Sequence, residues 1–379
     1  MKNFMNKIRH KSIIVLLSLL SAIFLLAATF TVSKYVIEKR AGTLTLSLTS
    51  IDVLAPGLQV RNAMDDSVAE VVFGLTKDYE DEVAGIVPKN VDVNKAGKIK
   101  LYAKGPKAYI LADRRIYANP DSHHLFYHRK ELTSVDFSNF DAGIVTDMRG
   151  MFIGCDKLAE VKNITSWNTG NVEDLEFMFR DCPSLVSLDL SGWNTANVTD
   201  LYGMFYNCTG LTSLDVSTWD TSAVEHIGDV FYGCSSLTSL NVSTWNTGKV
   251  VDMYFLFRGC KKLAELDISS WKAESVTDMY CMFYDCGSLT SLDFSSWNTA
   301  SVTNMGHMFF NCGELVSIYA GSGWNTDNVT YSAGMFQLCK NLSGGEGTSY
   351  DDEHMNKAYA RIDGGTASPG YFTDIADKP

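Results

Sequence analysis

The tryptophan residues of this chain recur at a nearly constant interval. Each of the seven lies 26 or 27 residues from the next, and eight of the nine cysteines follow the same period. The tryptophans are Trp167, Trp193, Trp219, Trp245, Trp271, Trp297 and Trp324, and the periodic cysteines are Cys155, Cys182, Cys208, Cys234, Cys260, Cys286, Cys312 and Cys339. A fixed period of this size predicts a solenoid, in which each coil buries its apolar side against its neighbours. Because a solenoid presents a long surface, binding is the expected function.

Residues 132–341 are predicted to form eight coils. The coils begin at Leu132, Leu158, Leu185, Leu211, Leu237, Leu263, Leu289 and Leu315. The spacing of Leu211, Leu214 and Val216 predicts a short strand, and apolar residues at steps of three and four from Val198 to Cys208 predict a short helix. Stacked strands lie about 4.8 Å apart and packed helices about 8–10 Å apart. The sequence therefore predicts a curved α/β solenoid of strand–turn–helix coils, similar to leucine-rich repeats.

The regions on either side of the coils do not repeat. Residues 34–131 hold four strand-like runs between Gly, Pro and Asn signals, at 43–50, 68–75, 98–103 and 108–118. A bare solenoid end exposes apolar core, so this β-rich region is predicted to cap the first coil. Residues 342–379 are rich in Gly and polar residues and are predicted to close the last coil.

The N-terminal segment, residues 1–33, carries an export signal. Four basic residues up to Lys11 precede an uncharged run from Ile13 to Val32. Twenty residues span about 30 Å as a helix, which matches the apolar core of a bilayer. The run therefore predicts either a cleaved signal peptide or an uncleaved membrane anchor. In both cases the basic flank is expected to stay in the cytoplasm, so that the chain after the run lies on the extracellular side of the membrane.

The charge of the chain limits the classes of partner. The formal net charge is −12, and residues 132–340 contain 24 acidic residues against 10 basic ones. A surface of this sign repels nucleic acid and anionic lipid. Cationic proteins, neutral glycans and divalent cations remain as partners.

Aromatic and arginine residues recur at two positions of the predicted helical side. The candidate ligand-binding residues are Tyr202, Tyr206, Tyr232, Tyr254, Arg258, Tyr280, Tyr284 and Phe310, with Arg180 at the start of the row. Aromatic side chains interleaved with arginine suit recognition of a glycan or a protein. Packing between adjacent coils explains the same row, so both interpretations stay open.

A row of acidic residues is predicted on the strands. Its members are Asp189, Asp215, Asn241, Asp267 and Asp293. Carboxylates about 4.8 Å apart repel by about 1 kcal/mol per adjacent pair even in water. Hydrogen bonds from hydroxyl or backbone groups are the expected compensation, and bound Ca²⁺ or a cationic ligand is the alternative. A second row, Asp200, Asp252 and Asp278, is predicted to lie at helix starts.

Three further groups carry weaker signals. The periodic cysteines are predicted to pack as buried thiols. Cys281 lies outside the period and takes the same repeat position as His307 in the next coil. A thiol nucleophile would also need a third group to orient the imidazole, and the sequence shows none. His124 and His128, which follow His123, have a metal-compatible spacing if that segment is helical. No catalytic residue and no cofactor is predicted.

The coil resembles the BspA-like leucine-rich repeat surface proteins of bacteria. The resemblance rests on the repeated motifs seen at Leu289–Asn298, Val276–Met279 and Met282–Cys286, and with its flanks it covers roughly residues 70–373. Two departures are Phe140, which replaces Trp in the first coil, and the lack of a wall-sorting tail. The resemblance implies a secreted or surface-held protein associated with adhesion and without enzymatic activity.

The expected function is therefore an exported adhesin or interaction scaffold on the extracellular side of a bacterial envelope. It is expected to bind an extracellular protein or glycan, such as host matrix or a neighbouring bacterial surface, through many similar contacts along one face. The alternative is a passive, self-associating envelope protein with no specific ligand.

Overall fold

The computed structural model describes residues 33–40 and 43–378. The chain divides into two compact units, Met1–Val53 and Leu54–Pro379. The run predicted to be a signal peptide or membrane anchor, Ile13–Val32, lies outside the described residues. Among the residues that are described, no helix has the length and apolar character needed to cross a membrane.

The described part of the first unit is an antiparallel hairpin followed by a short strand. Strand β1 (Ser33–Arg40) pairs with β2 (Thr43–Ser50), so that Ser33 lies opposite Ser50. The strand predicted at residues 43–50 is confirmed. Strand β3 (Asp52–Val53) ends the unit.

The second unit begins with a mixed α/β segment. Its elements are α1 (Gly57–Ala63), β4 (Glu70–Leu75), a 3₁₀ turn at Thr76–Asp78, α2 (Glu80–Val83), β5 (Lys89–Asn90), β6 (Ile99–Lys104), β7 (Lys107–Ala112) and β8 (Ile116–Tyr117). The strands predicted at 68–75 and 98–103 are confirmed, and the run predicted at 108–118 forms two strands, β7 and β8. Alternating side chains from these strands, such as Phe73, Ile99 and Ile110, are fully buried.

The non-repeating segment and the first coils share one sheet. Its order is β11-β9-β4-β7-β6-β5, where β9 (Ser134–Asp136) and β11 (Glu160–Lys162) belong to the first two coils. Strand β4 pairs in parallel with both β9 and β7. Because β4 bonds to the edge of β9, the first coil has no bare strand edge on that side.

Short parallel strands stack along the remaining coils. They are β12 (Ser187–Leu188), β13 (Ser213–Asp215), β14 (Ser239–Asn241), β15 (Ser291–Phe294), β16 (Ser317–Ala320) and β17 (Phe372–Asp374), whereas β10 (Phe140–Asp141) lies in the first coil and pairs with β8. Strands β12, β13 and β14 pair in register one coil apart, so that Ser213 lies opposite Ser239. At the other end β17 continues the ladder beyond β16. The surface that these strands form is called the strand face.

The helix predicted in each coil is absent, and this prediction was wrong. No α-helix lies between residues 132 and 341, all of which are described. From Asp200 to Cys208 the chain makes an isolated parallel bridge followed by consecutive turns. Two residues of this segment, Gly203 and Asn207, have φ of 57° and 59°. Left-handed residues interrupt a right-handed helix, so the apolar spacing is produced by turns instead. The surface formed by these segments is called the turn face.

Hydrogen bonds between coils replace those that a helix would make internally. The N–H groups of Leu201, Gly203 and Phe205 donate to carbonyl groups of the next coil at 2.9–3.0 Å. The N–H of Tyr206 instead donates within its own coil, to the carbonyl of Gly203 at 2.9 Å. Backbone hydrogen bonds therefore connect successive coils on the turn face as well as on the strand face. Because no helices lie opposite the strands, the mismatch in spacing that predicted a curved solenoid is absent from these coils.

Aromatic rings and thiols fill the core in register. The rings of Phe205 and Phe231 are parallel within 3° with centroids 5.9 Å apart, and the same contact recurs in consecutive coils. The Cys208 thiol donates to the Phe179 carbonyl at 3.1 Å. All nine cysteines are free and buried, so the prediction of packed thiols is confirmed. Burial raises the pKa of Cys208 to about 12, which keeps the thiol protonated as a donor.

The left-handed turn predicts a difference between two Gly→Ala substitutions. A Cβ at Gly203, where φ is positive, would lie 2.4 Å from the Phe177 ring. We expect Gly203→Ala to lower the free energy of unfolding by about 1–3 kcal/mol through strain and overpacking. Gly287, which has no atom within 4 Å of a Cβ, provides the matched control, Gly287→Ala, with an expected change within about 0.5 kcal/mol. Urea denaturation of the two variants checks this, and equal losses would contradict the turn geometry.

Candidate functional site

A column of stacked rings and guanidinium groups runs along the turn face. Tyr206 and Tyr232 are parallel within 5° with centroids 4.3 Å apart, and Tyr284 and Phe310 are parallel within 7° at 4.5 Å. Arg258 lies between the two pairs, with Cζ 5.3 Å from the Tyr232 centroid and 4.5 Å from that of Tyr284. The column, called the tyrosine column below, consists of Arg180, Tyr206, Tyr232, Arg258, Tyr284 and Phe310.

The members of the tyrosine column are half-buried, and their planar faces cover one another. Arg180 lies 4.7 Å over the outer face of Tyr206, and its Nε donates to Asp181 at 3.2 Å. Burial raises the pKa of Tyr206, so its hydroxyl is a neutral group. A partner therefore meets ring edges, hydroxyl groups and guanidinium N–H groups. The planar faces of the rings are covered by their neighbours in the column and are not accessible to a partner.

Three more predicted residues, Tyr202, Tyr254 and Tyr280, lie beside the column. Tyr202 and Tyr254 come from coils that are not adjacent, yet their centroids are 6.0 Å apart. The coil between them holds Gly228, where a Cβ would lie only 3.1 Å from the Tyr254 ring and 3.2 Å from the Tyr202 ring. The Tyr202 hydroxyl donates to Asp229 at 2.8 Å. This glycine therefore lets the two phenol rings meet across a coil.

The sequence interpretation missed the residues that join the two aromatic rows. Phe255 contacts Tyr232, Tyr254 and Tyr280 edge to face, with centroids 5.2–6.0 Å apart. His307 takes the same repeat position and contacts Tyr280 at 6.0 Å. Both have positive φ. The sequence draws attention to His307 only as a neighbour of Cys281, and Phe255 does not stand out because other coils hold Gly or Asp at this position. With these residues the turn face forms a continuous aromatic surface.

A row of carboxylates borders the aromatic surface. Isolated parallel bridges link Asp121, Asp147, Asp174, Asp200, His226, Asp252, Asp278, Asn304 and Tyr331, here called the bridge ladder. The second acidic row was predicted to start helices, which is wrong. Asp200 and Asp278 instead accept the backbone N–H two residues later, at 2.8 and 2.7 Å, and so fix the first turn.

Charges along the bridge ladder are only partly compensated. Burial, with a contribution from Asp200, raises the pKa of Asp174 to about 6. Arg149 lies 2.8 Å from Asp147 and 3.2 Å from Asp174, so one guanidinium joins two rungs. Two coils further on, His226 Nδ1 lies 2.6 Å from Asp252, and this hydrogen bond raises the pKa of His226.

The acidic row on the strand face makes the expected hydrogen bonds. Asp215 accepts from the N–H and hydroxyl of Ser217 at 3.0 and 2.6 Å, and the hydroxyl bond, with the N–H, lowers the pKa of Asp215. Asp189, Asn241 and Asp267 accept in the same way from the serine two residues later. Ca²⁺ binding by the row, at Asp189, Asp215, Asp267 and Asp293, stays a prediction.

Within the described part of the chain, the cluster with metal-compatible donors lies elsewhere. One ligand atom each of Asp121, His123 and Asp147 lies within 4.8 Å of the others. Arg149 already donates to Asp147 from its backbone N–H and from two guanidinium nitrogens. His124 and His128 have φ of 58° and 53°, so the helical spacing considered for them is absent.

The out-of-period thiol, Cys281, is buried in the turn face. It is 2% exposed and takes the same left-handed position as His307 of the next coil. Burial raises the pKa of Cys281, whereas a cysteine nucleophile needs a lowered one. Its position is structural, since the N–H of Cys281 donates to the Gly306 carbonyl at 2.9 Å.

The comparisons with known proteins identify a family. The family model described as "Mycoplasma protein of unknown function, DUF285" matches residues 121–239, 228–346 and 291–362. The chain belongs to this family. The matches begin at Asp121, where the bridge ladder also begins. Its description names no activity, so membership leaves the ligand open.

Among solved structures, a leucine-rich repeat protein from Bacteroides ovatus is similar to this chain. It is 16% identical to this chain, and the alignment covers 83% of this chain and 81% of that protein with a TM-score of 0.32. No curated protein matches the sequence.

The bridge ladder predicts an unusual pH dependence for Asp174→Asn. Because the folded pKa of Asp174 is about 6, above the usual 3.8, the folded state gains stability from this group as the pH falls through 6. We expect the substitution to raise the free energy of unfolding at pH 8 and to change it little near pH 4. The control is Asp189→Asn, since the pKa of Asp189 is lowered by its bonds from Ser191. Urea denaturation at both pH values checks the sign, and a loss of stability at pH 8 for Asp174→Asn would contradict it.

Proposed function

We propose that this protein is an exported cell-surface binding protein, an adhesin or interaction scaffold, of the BspA-like repeat type. It binds an extracellular protein or glycan through the turn face. The supporting observation is the tyrosine column, which presents the same kind of contact in six successive coils from Arg180 to Phe310. Such repetition suits multivalent binding, in which many weak contacts add along one surface.

The stacking within the tyrosine column favours a protein ligand over a glycan. Aromatic residues that bind sugars offer a planar face, and here the faces of Tyr206, Tyr232 and Tyr284 are covered by neighbours in the column. The exposed hydroxyl groups, ring edges and guanidinium groups match the polar and aromatic contacts of protein interfaces.

The export part of the proposal rests on the N-terminal sequence. The basic residues followed by the uncharged run Ile13–Val32 support either a cleaved signal or a retained anchor. The coils then lie outside the membrane, on the extracellular side of a bacterial envelope.

A passive, self-associating envelope protein is the second candidate. The observation that favours it is the same stacking, because rings that cover one another also serve to hold successive coils together. Under this alternative the turn face meets other copies of the chain and no specific ligand.

Binding assays with the full chain in mild detergent test the proposal. We expect a specific hit on arrays of matrix proteins and glycans that is lost when Tyr206, Tyr232 and Tyr284 are all changed to Ser. The matched control changes Asp189, Asp215 and Asp267 to Asn on the strand face, and there binding is expected to persist. Thermal unfolding shows that both triple variants remain folded.

Three other results would argue against the proposal. Binding that is lost with the strand-face variant, or only on addition of a chelator, moves the site to the acidic row. A hit restricted to glycans overturns the preference for a protein. The absence of any hit, together with self-association in sedimentation, supports the passive envelope protein.

A further inference from the structure

The strand face carries a groove near its C-terminal end. The groove has a volume of about 280 Å³ and lies across the coils that begin at Leu263, Leu289 and Leu315, of which the last two contribute strands β15 and β16. It is lined by Glu265, Leu266, Asp267, Ser269, Ser291, Leu292, Asp293, Tyr319 and Lys378. Three carboxylates and a phenol ring thus surround one cation.

The cation in the groove is the side chain of Lys378. Its Nζ donates to Asp293 Oδ2 at 2.7 Å and lies 5.3 Å from the centroid of the Tyr319 ring. Asp267 contributes a longer-range attraction. An ammonium group held by a carboxylate and an aromatic ring is a recognised way of binding a lysine side chain.

The fold brings Lys378 to this place from beyond the coils. Strand β17 pairs with β16, so that Asp374 lies opposite Ala320. A 3₁₀ turn at Ile375–Asp377 follows, in which the Asp374 side chain accepts from the Ala376 N–H at 2.9 Å. After this turn the Lys378 side chain lies over the Tyr319 ring and contacts Asp293, the residue opposite Tyr319 on the preceding strand.

Asp293 differs from the other members of the acidic row. Its side chain is 13% exposed, whereas Asp189, Asp215 and Asp267 are exposed. Burial alone would raise the pKa of Asp293, but the bonds from Lys378 and Ser295 lower it. The Lys378 ammonium therefore stabilises the ionised form of this enclosed carboxylate, together with the bonds from Ser295.

We propose that the groove is a binding site for a lysine side chain of a partner polypeptide, and that Lys378 occupies it as a tethered competitor. The proposal is independent of the function assigned to the turn face. The Lys378 side chain remains 42% exposed, and exposed ion pairs are weak, so this contact is displaceable. A short tether nevertheless gives an effective concentration on the order of millimolar, which sets the competition that a partner must overcome.

Peptide binding by variants of the full chain in mild detergent tests this site. The probe is a fluorescent peptide with three consecutive lysines, and the same peptide with acetylated lysines is the reference. Lys378→Gln removes the competitor, and Asp293→Asn in that background removes the main acceptor. Asn241 occupies the equivalent rung and accepts from Ser243 at 2.8 Å, so the Asn variant is expected to fold. Asp189→Asn in the same background is the matched control outside the groove.

We expect Lys378→Gln to bind the lysine peptide several-fold more tightly than the wild type at 150 mM salt. Adding Asp293→Asn is expected to weaken binding about tenfold, as loss of one charge-assisted contact does, while Asp189→Asn leaves it within about twofold. Equal affinities of Lys378→Gln and wild type would overturn the competition. Equal losses for Asp293→Asn and Asp189→Asn, or binding of the acetylated peptide, would show general attraction to an acidic surface instead of a site.

Discussion

The hydrogen bonds between successive turn segments set the geometry on which the rest of this solenoid depends. Left-handed residues such as Gly203 and Asn207 turn alternate N–H groups out of the coil and toward the carbonyls of the next one. The strand face and the turn face then have a similar spacing from one coil to the next. Rings at equivalent positions consequently come within stacking distance, as the 5.9 Å spacing of Phe205 and Phe231 shows. Helices in the same place would stand about 8–10 Å apart and would leave these rings out of contact.

Much of the architecture was predictable from the period, and one element was not. The positions of the buried leucines, tryptophans and cysteines follow directly from the repeat, and so do the strands. The helix was predicted because apolar residues at steps of three and four suit a helix, but consecutive turns give the same spacing. A better signal was present. The residue before the periodic cysteine is Gly, Asp or Asn in seven of eight coils, namely Gly154, Asp181, Asn207, Gly233, Gly259, Asp285 and Asn311. These residue types adopt left-handed conformations most readily.

The candidate binding surfaces also contain some features that the repeat predicts and others that it does not. The tyrosine column was foreseeable because its members share one repeat position. The contacts of Phe255 and His307 with the tyrosines were not, since their position accepts Gly, Asp or Cys in other coils and shows no pattern. The contact between Lys378 and Asp293 joins residues 85 apart in sequence, beyond the reach of any periodic argument. Periodicity thus predicts what every coil has in common, whereas single-coil departures become visible only in three dimensions.

The burial of the thiols determines how reversibly this chain would unfold in an oxidising medium. Each periodic cysteine donates to the carbonyl of the preceding coil and is closed to solvent, as Cys208 and Cys339 show. While the stack is intact the sulfur atoms are inert, because only an exposed thiolate reacts readily. Loss of the stack would release many thiols at once, and in an oxidising medium random disulfides between them would trap the unfolded chain. Unfolding of such a molecule would then be a one-way chemical event, so its lifetime would be governed by the rate at which the first coil opens.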